Sequence, residues 1–428
     1  MNVSFPFFPA QYSKRSSLVL SSAGQISVMN NKWLATFIVA VFLCSSSLAQ
    51  GSADSTTKLL QTKTGPVKVE RLATLVQPWG MAFLPDGRLL VTEKPGRLRI
   101  FEKGKLSEPI AGVPKVMYHG QGGLLDVEID PAFASNKFVY LSYAEAADKQ
   151  PDVKSDKADH RLGAGQDLTH VVLKGAAVAR GRLDGNTLKD LKVIWRQEPK
   201  EIGRGHFGGR LVFAPDGKLF ITSGERQRFE PAQDPGSALG KIIRINSDGS
   251  VPKDNPFVNK KGYLPEIWSM GHRNPLGAAI NPADKKLWIH EMGPLHGDEL
   301  NVPEAGKNYG WPIVSNGSHY DGTKIPDHDT DSSFAQPLFY WHPAISPSGL
   351  MFYTGNLFSK WNGNAFIGGL SSEALIRLTL KDGQVASEER LQLNKRIRDM
   401  IQAPDGSVWV ITDYNPGELL RLSPAVGK

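Results

Sequence analysis

The stretch that repeats in this chain is Leu84-Pro85-Asp86-Gly87-Arg88-Leu89-Leu90-Val91-Thr92. It returns as Ala214-Pro215-Asp216-Gly217-Lys218-Leu219-Phe220-Ile221-Thr222 and as Ala403-Pro404-Asp405-Gly406-Ser407-Val408-Trp409-Val410-Ile411-Thr412. Looser copies are Asp130-Pro131 leading into 138–142, Asn281-Pro282-Ala283-Asp284 leading into 287–290, and 352–353 turning through 361–364 into 365–368. A Pro-Asp-Gly type turn between apolar runs is typical of a β-hairpin. Six hairpins with little helical periodicity predict an all-β fold, a six-bladed β-propeller over 68–428, with a β-sandwich of unrelated hairpins as the alternative.

The segment ahead of the repeats has the pattern of a secretory signal. Residues 29–49 combine a basic start at Lys32, an apolar run from Trp33 to Cys44 and a small-residue cleavage site. The run is shorter than the about 20 residues that a transmembrane helix needs, so we expect export to a periplasm without a stable membrane anchor. Residues 1–28 are interpreted as a non-structural upstream extension, and 50–67 as a flexible N-terminal segment.

Composition excludes several classes of function. The only cysteine, Cys44, lies inside the signal, so the mature chain has no disulfides, thiolate chemistry or cysteine-based zinc site. Removal of Lys14, Arg15 and Lys32 with the signal lowers the formal net charge from +7 to about +4. This mild charge, with no clustered Lys/Arg run, argues against nucleic acid as a partner.

In a propeller, function concentrates where loops converge at one mouth of the central channel. His206 stands among glycines in the segment 203–210, and we expect it to be exposed in such a loop. Arg273, Arg396 and Arg398 lie in similar segments and predict a polyanionic ligand, held through carboxylate or phosphate groups. The alternative is that these arginines pair with acidic side chains of adjacent blades.

Several motifs together carry a resemblance to a known family. They are Gln77-Pro78-Trp79-Gly80-Met81-Ala82-Phe83, Gly120-Gln121-Gly122-Gly123-Leu124-Leu125, 206–217, Gly271-His272-Arg273-Asn274-Pro275-Leu276-Gly277, Asn308-Tyr309-Gly310-Trp311-Pro312 and Arg396-Ile397-Arg398-Asp399. The chain resembles the soluble, pyrroloquinoline quinone (PQQ)-dependent glucose and aldose sugar dehydrogenases, the aldose branch in particular. The resemblance runs from about 68 to 425.

The resemblance implies an enzyme that oxidises aldose sugars at C1 to lactones. His206 is then the general base for the anomeric hydroxyl, a role that suits its near-neutral ordinary pKa. Arg273 and Asn274 would contact the quinone oxygens, which makes Arg273 catalytic as well as cofactor-binding. Glu225 would orient His206 or contact a sugar hydroxyl.

The resemblance also implies how the cofactor is held. Gln121 would bind the quinone, while Arg396 and Arg398 would hold its carboxylates. A calcium ion would bridge PQQ and the backbone carbonyls of Gly293 and Pro294, since calcium prefers oxygen ligands. We expect aldose sugars and an unidentified soluble electron acceptor as partners, and a monomer or homodimer.

The chain departs from the glucose dehydrogenase pattern at one cofactor contact. Where that branch has a lysine, this sequence reads Gly368-Gly369-Leu370-Ser371-Ser372, so one cationic contact is missing. Two other functions stay open at this point. A calcium-dependent lactonase or hydrolase is disfavoured because the mouth motifs are poor in carboxylates, and a non-catalytic binding propeller would not need the histidine and the arginines to converge.

Overall fold

The computed structural model describes residues 57–152 and 172–425 of the 428-residue chain. This part of the chain is almost entirely β-structure, with one four-residue helix, Phe133–Asn136, and 3-10 turns at Glu230–Ala232, His328–Thr330 and Ser359–Trp361. The helical segments described are all too short or too polar to cross a lipid bilayer. Residues 1–56, 153–171 and 426–428 lie outside the described residues, and with them the predicted extension and the predicted signal.

Twenty-five strands form six antiparallel sheets, which we number as blades 1 to 6. Blade 1 comprises β3 (Pro78–Phe83), β4 (Leu89–Glu93), β5 (Arg97–Glu102) and β6 (Lys105–Leu106). Blade 2 comprises β7 (Leu124–Ile129), β8 (Phe138–Ala146), β9 (Lys174–Asp184) and β10 (Thr187–Arg196). Blade 3 comprises β11 (Gly208–Phe213), β12 (Leu219–Ser223), β13 (Lys241–Ile245) and β14 (Ile267–Met270).

The second half of the chain continues the same pattern. Blade 4 comprises β15 (Pro275–Ile280), β16 (Leu287–Glu291), β17 (Asp298–Asn301) and β18 (Phe339–Trp341). Blade 5 comprises β19 (Pro347–Phe352), β20 (Ala365–Gly369), β21 (Ala374–Lys381) and β22 (Gln384–Gln392). Blade 6 comprises β23 (Ile397–Gln402), β24 (Val408–Thr412) and β25 (Gly417–Pro424), and adds β2 (Gly65–Leu75) and β1 (Thr57–Thr62) from the start of the described chain.

The six sequence repeats are the hairpins that join the first and second strands of the six blades, as predicted. In the three close copies the aspartate fixes the turn. Oδ1 of Asp86, Asp216 and Asp405 accepts the backbone N–H two residues later, at 3.1, 3.0 and 2.9 Å. This side-chain hydrogen bond and the glycine at positive φ that follows the aspartate explain why the order Pro-Asp-Gly recurs in the chain. The prediction of an all-β, six-bladed propeller is confirmed.

The ring is closed by pairing the two ends of the described chain. Strand β2 pairs with β25 from Val67 opposite Pro424 to Leu75 opposite Gly417, and β1 adds an outer edge to β2. Residues 57–67, part of the segment 50–67 that was predicted to be flexible, form strands β1 and the start of β2 and are hydrogen-bonded within blade 6. The residues of β1, Thr57–Thr62, are largely exposed. Their sequence therefore carries only a weak hydrophobic pattern, and the strand was not predicted.

The blades pack face to face around a central channel. The first strands, β3, β7, β11, β15, β19 and β23, contact each other in a closed cycle and so form the channel wall. Every residue of β4, β12, β13 and β20 is buried because these strands are covered by a blade on each face. Between blades 4 and 5, for example, Trp288 and Leu300 pack against Ile367 and Ile376.

Candidate functional site

A cavity of about 530 Å³ opens at one mouth of the channel. All six blades contribute to its wall, and they do so from the amino ends of their first strands or the segments just before them. The wall residues include Gln77, Trp79, Gln121, Leu125, Phe207, Gly208, Leu276, Ser346, Arg396 and Arg398, with Lys94, Met292, Leu370 and 413–415 from neighbouring loops. The opposite mouth is lined by the carboxyl ends of the same strands, such as Phe213, Ile280 and Phe352. The cavity is thus where the sequence predicted the active-site mouth.

Arg210 fills the channel beneath the cavity. Its guanidinium carbon lies 4.1 Å from the centre of the Trp79 ring, and Nη1 lies 3.2 Å from carboxylate oxygens of both Asp126 and Asp399. Nε and Nη2 donate to the carbonyl oxygens of Leu276 and Arg398, at 2.8 and 3.1 Å. One buried side chain of blade 3 therefore ties the floor of the cavity to the backbone of blades 4 and 6.

His206 and Glu225 form a buried pair beside this cavity. His206 Nδ1 lies 2.6 Å from Glu225 Oε1, and the two residues are 5% and 0% exposed. Glu225 Oε2 accepts the backbone N–H of Arg228 at 2.6 Å, so both carboxylate oxygens are engaged. The expectation that His206 is exposed is wrong, because its loop folds under Gln121 and against blade 3. Of the two roles expected for Glu225, the geometry supports the orientation of His206, since the carboxylate is buried and contacts the imidazole directly.

The electrostatics of the pair favour a neutral histidine beside an ionised carboxylate. Burial lowers the pKa of His206 below its ordinary value, Glu225 opposes this, and Arg273 lowers it further. Burial would raise the pKa of Glu225, but His206 and Arg273 hold it below its ordinary value. Neutral His206 then donates Nδ1–H to Glu225, which leaves Nε2 as the basic nitrogen.

The backbone around the pair is held in an unusual conformation. His206 has a φ of +53°, in the left-handed region that a non-glycine residue rarely adopts. Its N–H donates to Gln121 Oε1 at 2.8 Å, and its carbonyl accepts the N–H of Arg226 at 3.1 Å. Gly224 permits the close approach, since a Cβ there would stand 2.4 Å from the His206 carbonyl oxygen. Together, these backbone contacts of His206 fix the position of its imidazole.

Arg273 and Asn274 are buried behind the cavity wall, which in blade 4 is formed by Leu276 and Met292. Arg273 Nη1 donates to the carbonyl oxygen of Met292 at 3.0 Å, while its Nε is buried with no hydrogen-bond partner among the described residues. Asn274 Oδ1 accepts the N–H of Gly208 at 3.3 Å, and its Nδ2 is likewise buried without a partner there. Buried donors without a hydrogen-bond partner are uncommon in folded proteins, which makes these two atoms candidates for a ligand contact.

Arg396 and Arg398 lie on one side of their strand, as the alternation predicted, and converge on Asp413. Nη2 of Arg396 lies 2.9 Å from Asp413 Oδ2, and Nη2 of Arg398 lies 2.6 Å from Oδ1. Burial would raise the pKa of Asp413, but Arg398 and then Arg396 lower it to about 2. The two arginines thus pair with an acidic residue of their own blade and not of an adjacent blade, yet one carboxylate serves two guanidinium groups and both still line the cavity.

The predicted calcium ligands lie in a buried turn after β16. Gly293 donates its N–H to Asp298 Oδ1 at 2.9 Å, and Asp298 Oδ2 accepts the N–H groups of Ile345 and Ser346. Asp298 therefore fixes the backbone of the turn beside the cavity. No three His, Cys, Asp or Glu side chains are grouped to hold a metal within 57–152 and 172–425.

Other residues of the motifs brace the site. His272 is fully buried between Ser269 and Glu291, at 2.8 and 2.9 Å, and stacks on Tyr309. Trp311 is packed under Arg273 and Phe229.

Sequence reasoning missed Lys94 and Asp413 as cavity residues. The repeats themselves contained the signal: Lys94, Glu225 and Asp413 follow the terminal threonine of their copies, Thr92, Thr222 and Thr412, by two, three and one positions. The second strands of all blades run toward the same mouth, so residues just beyond these threonines meet there.

Comparison with known proteins agrees with this site. The family model described as "Glucose / Sorbosone dehydrogenase" matches residues 75–421. The chain is 40% identical over 396 residues to the aldose sugar dehydrogenase YliI of Escherichia coli K12, covering 91% of this chain and 98% of that protein. A crystal structure of a glucose dehydrogenase superposes with a TM-score of 0.75 and 44% identity, over 84% of this chain and 99% of that one.

A structure of the PQQ-bound aldose sugar dehydrogenase from Streptomyces coelicolor superposes with a TM-score of 0.65 and 27% identity, over 83% of this chain and 98% of that one. The family model spans every strand that lines the cavity. This chain belongs to the glucose/sorbosone dehydrogenase family of oxidoreductases.

Proposed function

We propose that this protein is a PQQ- and calcium-dependent dehydrogenase that oxidises aldose sugars at C1 to the corresponding lactones. The observation that carries the proposal is the juxtaposition of the buried His206–Glu225 pair with a cavity whose wall holds Arg396 and Arg398. A base next to a cationic cavity is the arrangement needed to deprotonate a neutral sugar beside an anionic redox cofactor. The PQQ-bound relative from S. coelicolor supports the choice of cofactor.

The residues present fit PQQ, a flat tricarboxylate. The cavity volume lies in the range of small-molecule sites. Trp79 and Leu276 offer apolar surface, and the guanidinium groups suit carboxylates through paired N–H donors. The unsatisfied Nε of Arg273 and Nδ2 of Asn274 suit the quinone oxygens. PQQ, when bound, supplies the two-electron oxidant that accepts hydride from the sugar C1.

The chain's own contribution to the reaction is proton transfer and orientation. His206 Nε2 removes the proton of the anomeric hydroxyl, since its low pKa keeps the imidazole neutral and ready to accept it. Glu225 holds the ring through Nδ1 and stabilises the imidazolium that results. The left-handed backbone at His206 and its N–H bond to Gln121 keep the ring from turning away. Arg273, with Nη1 fixed on the Met292 carbonyl oxygen, places positive charge beside the cavity.

Calcium would be held through oxygen atoms of the backbone and of the cofactor. The nearby carboxylates of Asp298 and Glu291 already accept backbone N–H groups, so the carbonyls of Gly293 and Pro294 are the ligands we propose. Calcium supplies Lewis-acid polarisation when bound. The signal pattern of 29–49 supports a periplasmic location, where such an enzyme meets extracellular sugars.

Dye-linked oxidation of a panel of aldoses by the purified protein tests this function. We expect activity only after addition of PQQ and calcium, and the His206→Ala variant should bind PQQ but turn over about 10²–10⁴-fold more slowly. Full turnover by His206→Ala would remove this residue from the mechanism. Failure of the unaltered protein to bind PQQ or to oxidise any aldose would overturn the proposed function and favour a hydrolase or a binding propeller.

A further inference from the structure

Lys94 is a third cationic side chain in the wall of the cavity, and no role has yet been given to it. It follows β4 directly and lies at the mouth together with Arg396 and Arg398. Its Nζ donates to the carbonyl oxygen of Gly120 at 2.9 Å and stands 6.0 Å from the centre of the Tyr118 ring. The side chain is half-buried, so its charge is partly withdrawn from water.

This ammonium group lacks a counter-ion of its own. Within the described part of the chain, Nζ forms no salt bridge, and its hydrogen bond goes to a backbone carbonyl oxygen, that of Gly120. The carboxylate that acts on it from farther away is Asp413, which already serves two arginines. Burial, and then the nearby charge of Arg398, lower the pKa of Lys94 to about 8. A cation in these surroundings is stabilised when an anion enters.

The charge balance of the wall points in the same direction. It holds three cationic side chains, Lys94, Arg396 and Arg398, against the single carboxylate of Asp413. Residues 368–372, which follow or end strand β20 of blade 5, contribute Leu370 to the wall and no cationic side chain. An excess of two positive charges suits a ligand with several carboxylates, and blade 1 provides a contact that blade 5 lacks.

We propose that Lys94 is a cofactor-binding residue whose ammonium group pairs with a carboxylate of PQQ beside Arg398. This inference rests on the proposed function, because it assumes that PQQ occupies the cavity. The ammonium acts as a point charge that swings from the Gly120 carbonyl oxygen to the ligand, whereas the two guanidinium groups supply paired donors. The competing role is purely structural: Lys94 would tether the loop at Gly120 and never touch the ligand.

Equilibrium titration of the calcium-loaded protein with PQQ, followed by quenching of tryptophan fluorescence, tests the proposal. Trp79 in the cavity wall provides a reporter. Lys94→Gln should raise the Kd for PQQ about 10- to 100-fold, the scale of one charge-assisted hydrogen bond. Lys94→Arg should keep the Kd within about threefold, and Lys103→Gln, at an exposed lysine of the same blade, should leave it unchanged.

The trimethyl ester of PQQ separates binding from tethering, because it has the ring system without the negative charges. If Lys94 pairs with a carboxylate, the unaltered protein and Lys94→Gln bind the ester equally. Equal Kd values for PQQ in these two proteins would overturn the assignment, as would an equal loss of affinity for PQQ and for its ester. Absence of PQQ binding by the unaltered protein would instead refute the proposed function, and the assignment with it.

Discussion

The charge of Glu225 sets both the position and the basicity of His206, so Glu225→Gln is the most informative single change. Glutamine keeps the length of the side chain and an oxygen that accepts from Nδ1–H. It removes the negative charge that opposes burial and Arg273 in setting the His206 pKa. The variant therefore changes the electrostatics of the pair while keeping its shape.

The size of the effect follows from the contact. A hydrogen bond to a charged group contributes about 1.5–3 kcal/mol, and each 1.4 kcal/mol corresponds to about tenfold in rate. Because Glu225 is 0% exposed and lies 2.6 Å from Nδ1, we expect the full range to apply when the imidazolium forms. The prediction is a fall in kcat of about 10- to 150-fold, with the Kd for PQQ unchanged.

The pH profile gives a second, signed readout. The base works in its neutral form, so activity is lost as the pH falls through the His206 pKa, which lies below the ordinary histidine value. Since the Glu225 carboxylate raises this pKa, its removal moves the acidic limb to lower pH. We would measure kcat for one aldose against pH for the unaltered protein, for Glu225→Gln and for a control, Glu230→Gln, at an exposed glutamate five positions on. An acidic limb that moves to higher pH, or a kcat equal to that of the control, would refute the reasoning.

Three further predictions concern the contact of Arg396 with PQQ, the close backbone approach at Gly224 and the strand β25 that closes the propeller. Arg396→Ala should weaken PQQ binding about 10-fold or more while kcat at saturating PQQ stays within a few-fold, and an unchanged Kd in a binding titration would contradict the clamp. Gly224→Ala places a Cβ 2.4 Å from the His206 carbonyl oxygen, so we expect turnover to fall sharply while circular dichroism still reports a β-rich fold; full activity would show that the approach is not needed. Leu422→Ala, at a fully buried side chain of strand β25, should lower the free energy of unfolding by about 2–5 kcal/mol in urea titration, and a loss below 1 kcal/mol would show that the closing strand contributes little.

The sequence predicts the propeller well because its hairpins carry their own turn chemistry. The aspartates of the three close repeats form the same local hydrogen bond wherever they occur, so the prediction of these three hairpins rests on local physics. Strand β1 was missed because an edge strand buries little and leaves only a weak pattern.

The candidate site shows where sequence reasoning stops. Gln121, Arg396 and Arg398 meet in the cavity wall, since propeller topology brings the ends of successive strands to one mouth. The burial of His206 and the sharing of Asp413 by two arginines depend on packing between blades, which no local pattern reports. Lys94 was overlooked because a lysine after a strand looks like any solvated lysine until its neighbours in blade 6 are known.

The pairing of β2 with β25 has a consequence for the order of folding. Leu75 pairs with Gly417, 342 positions later. Of the two strands, β2 is therefore synthesised early and β25 late. Until both are present, β2 has no partner on its inner edge and the first and last blades cannot meet. Contacts of such long sequence separation form late and slowly. The ring therefore stays open while the polypeptide is being extended, and the propeller is completed only after β25 has been synthesised.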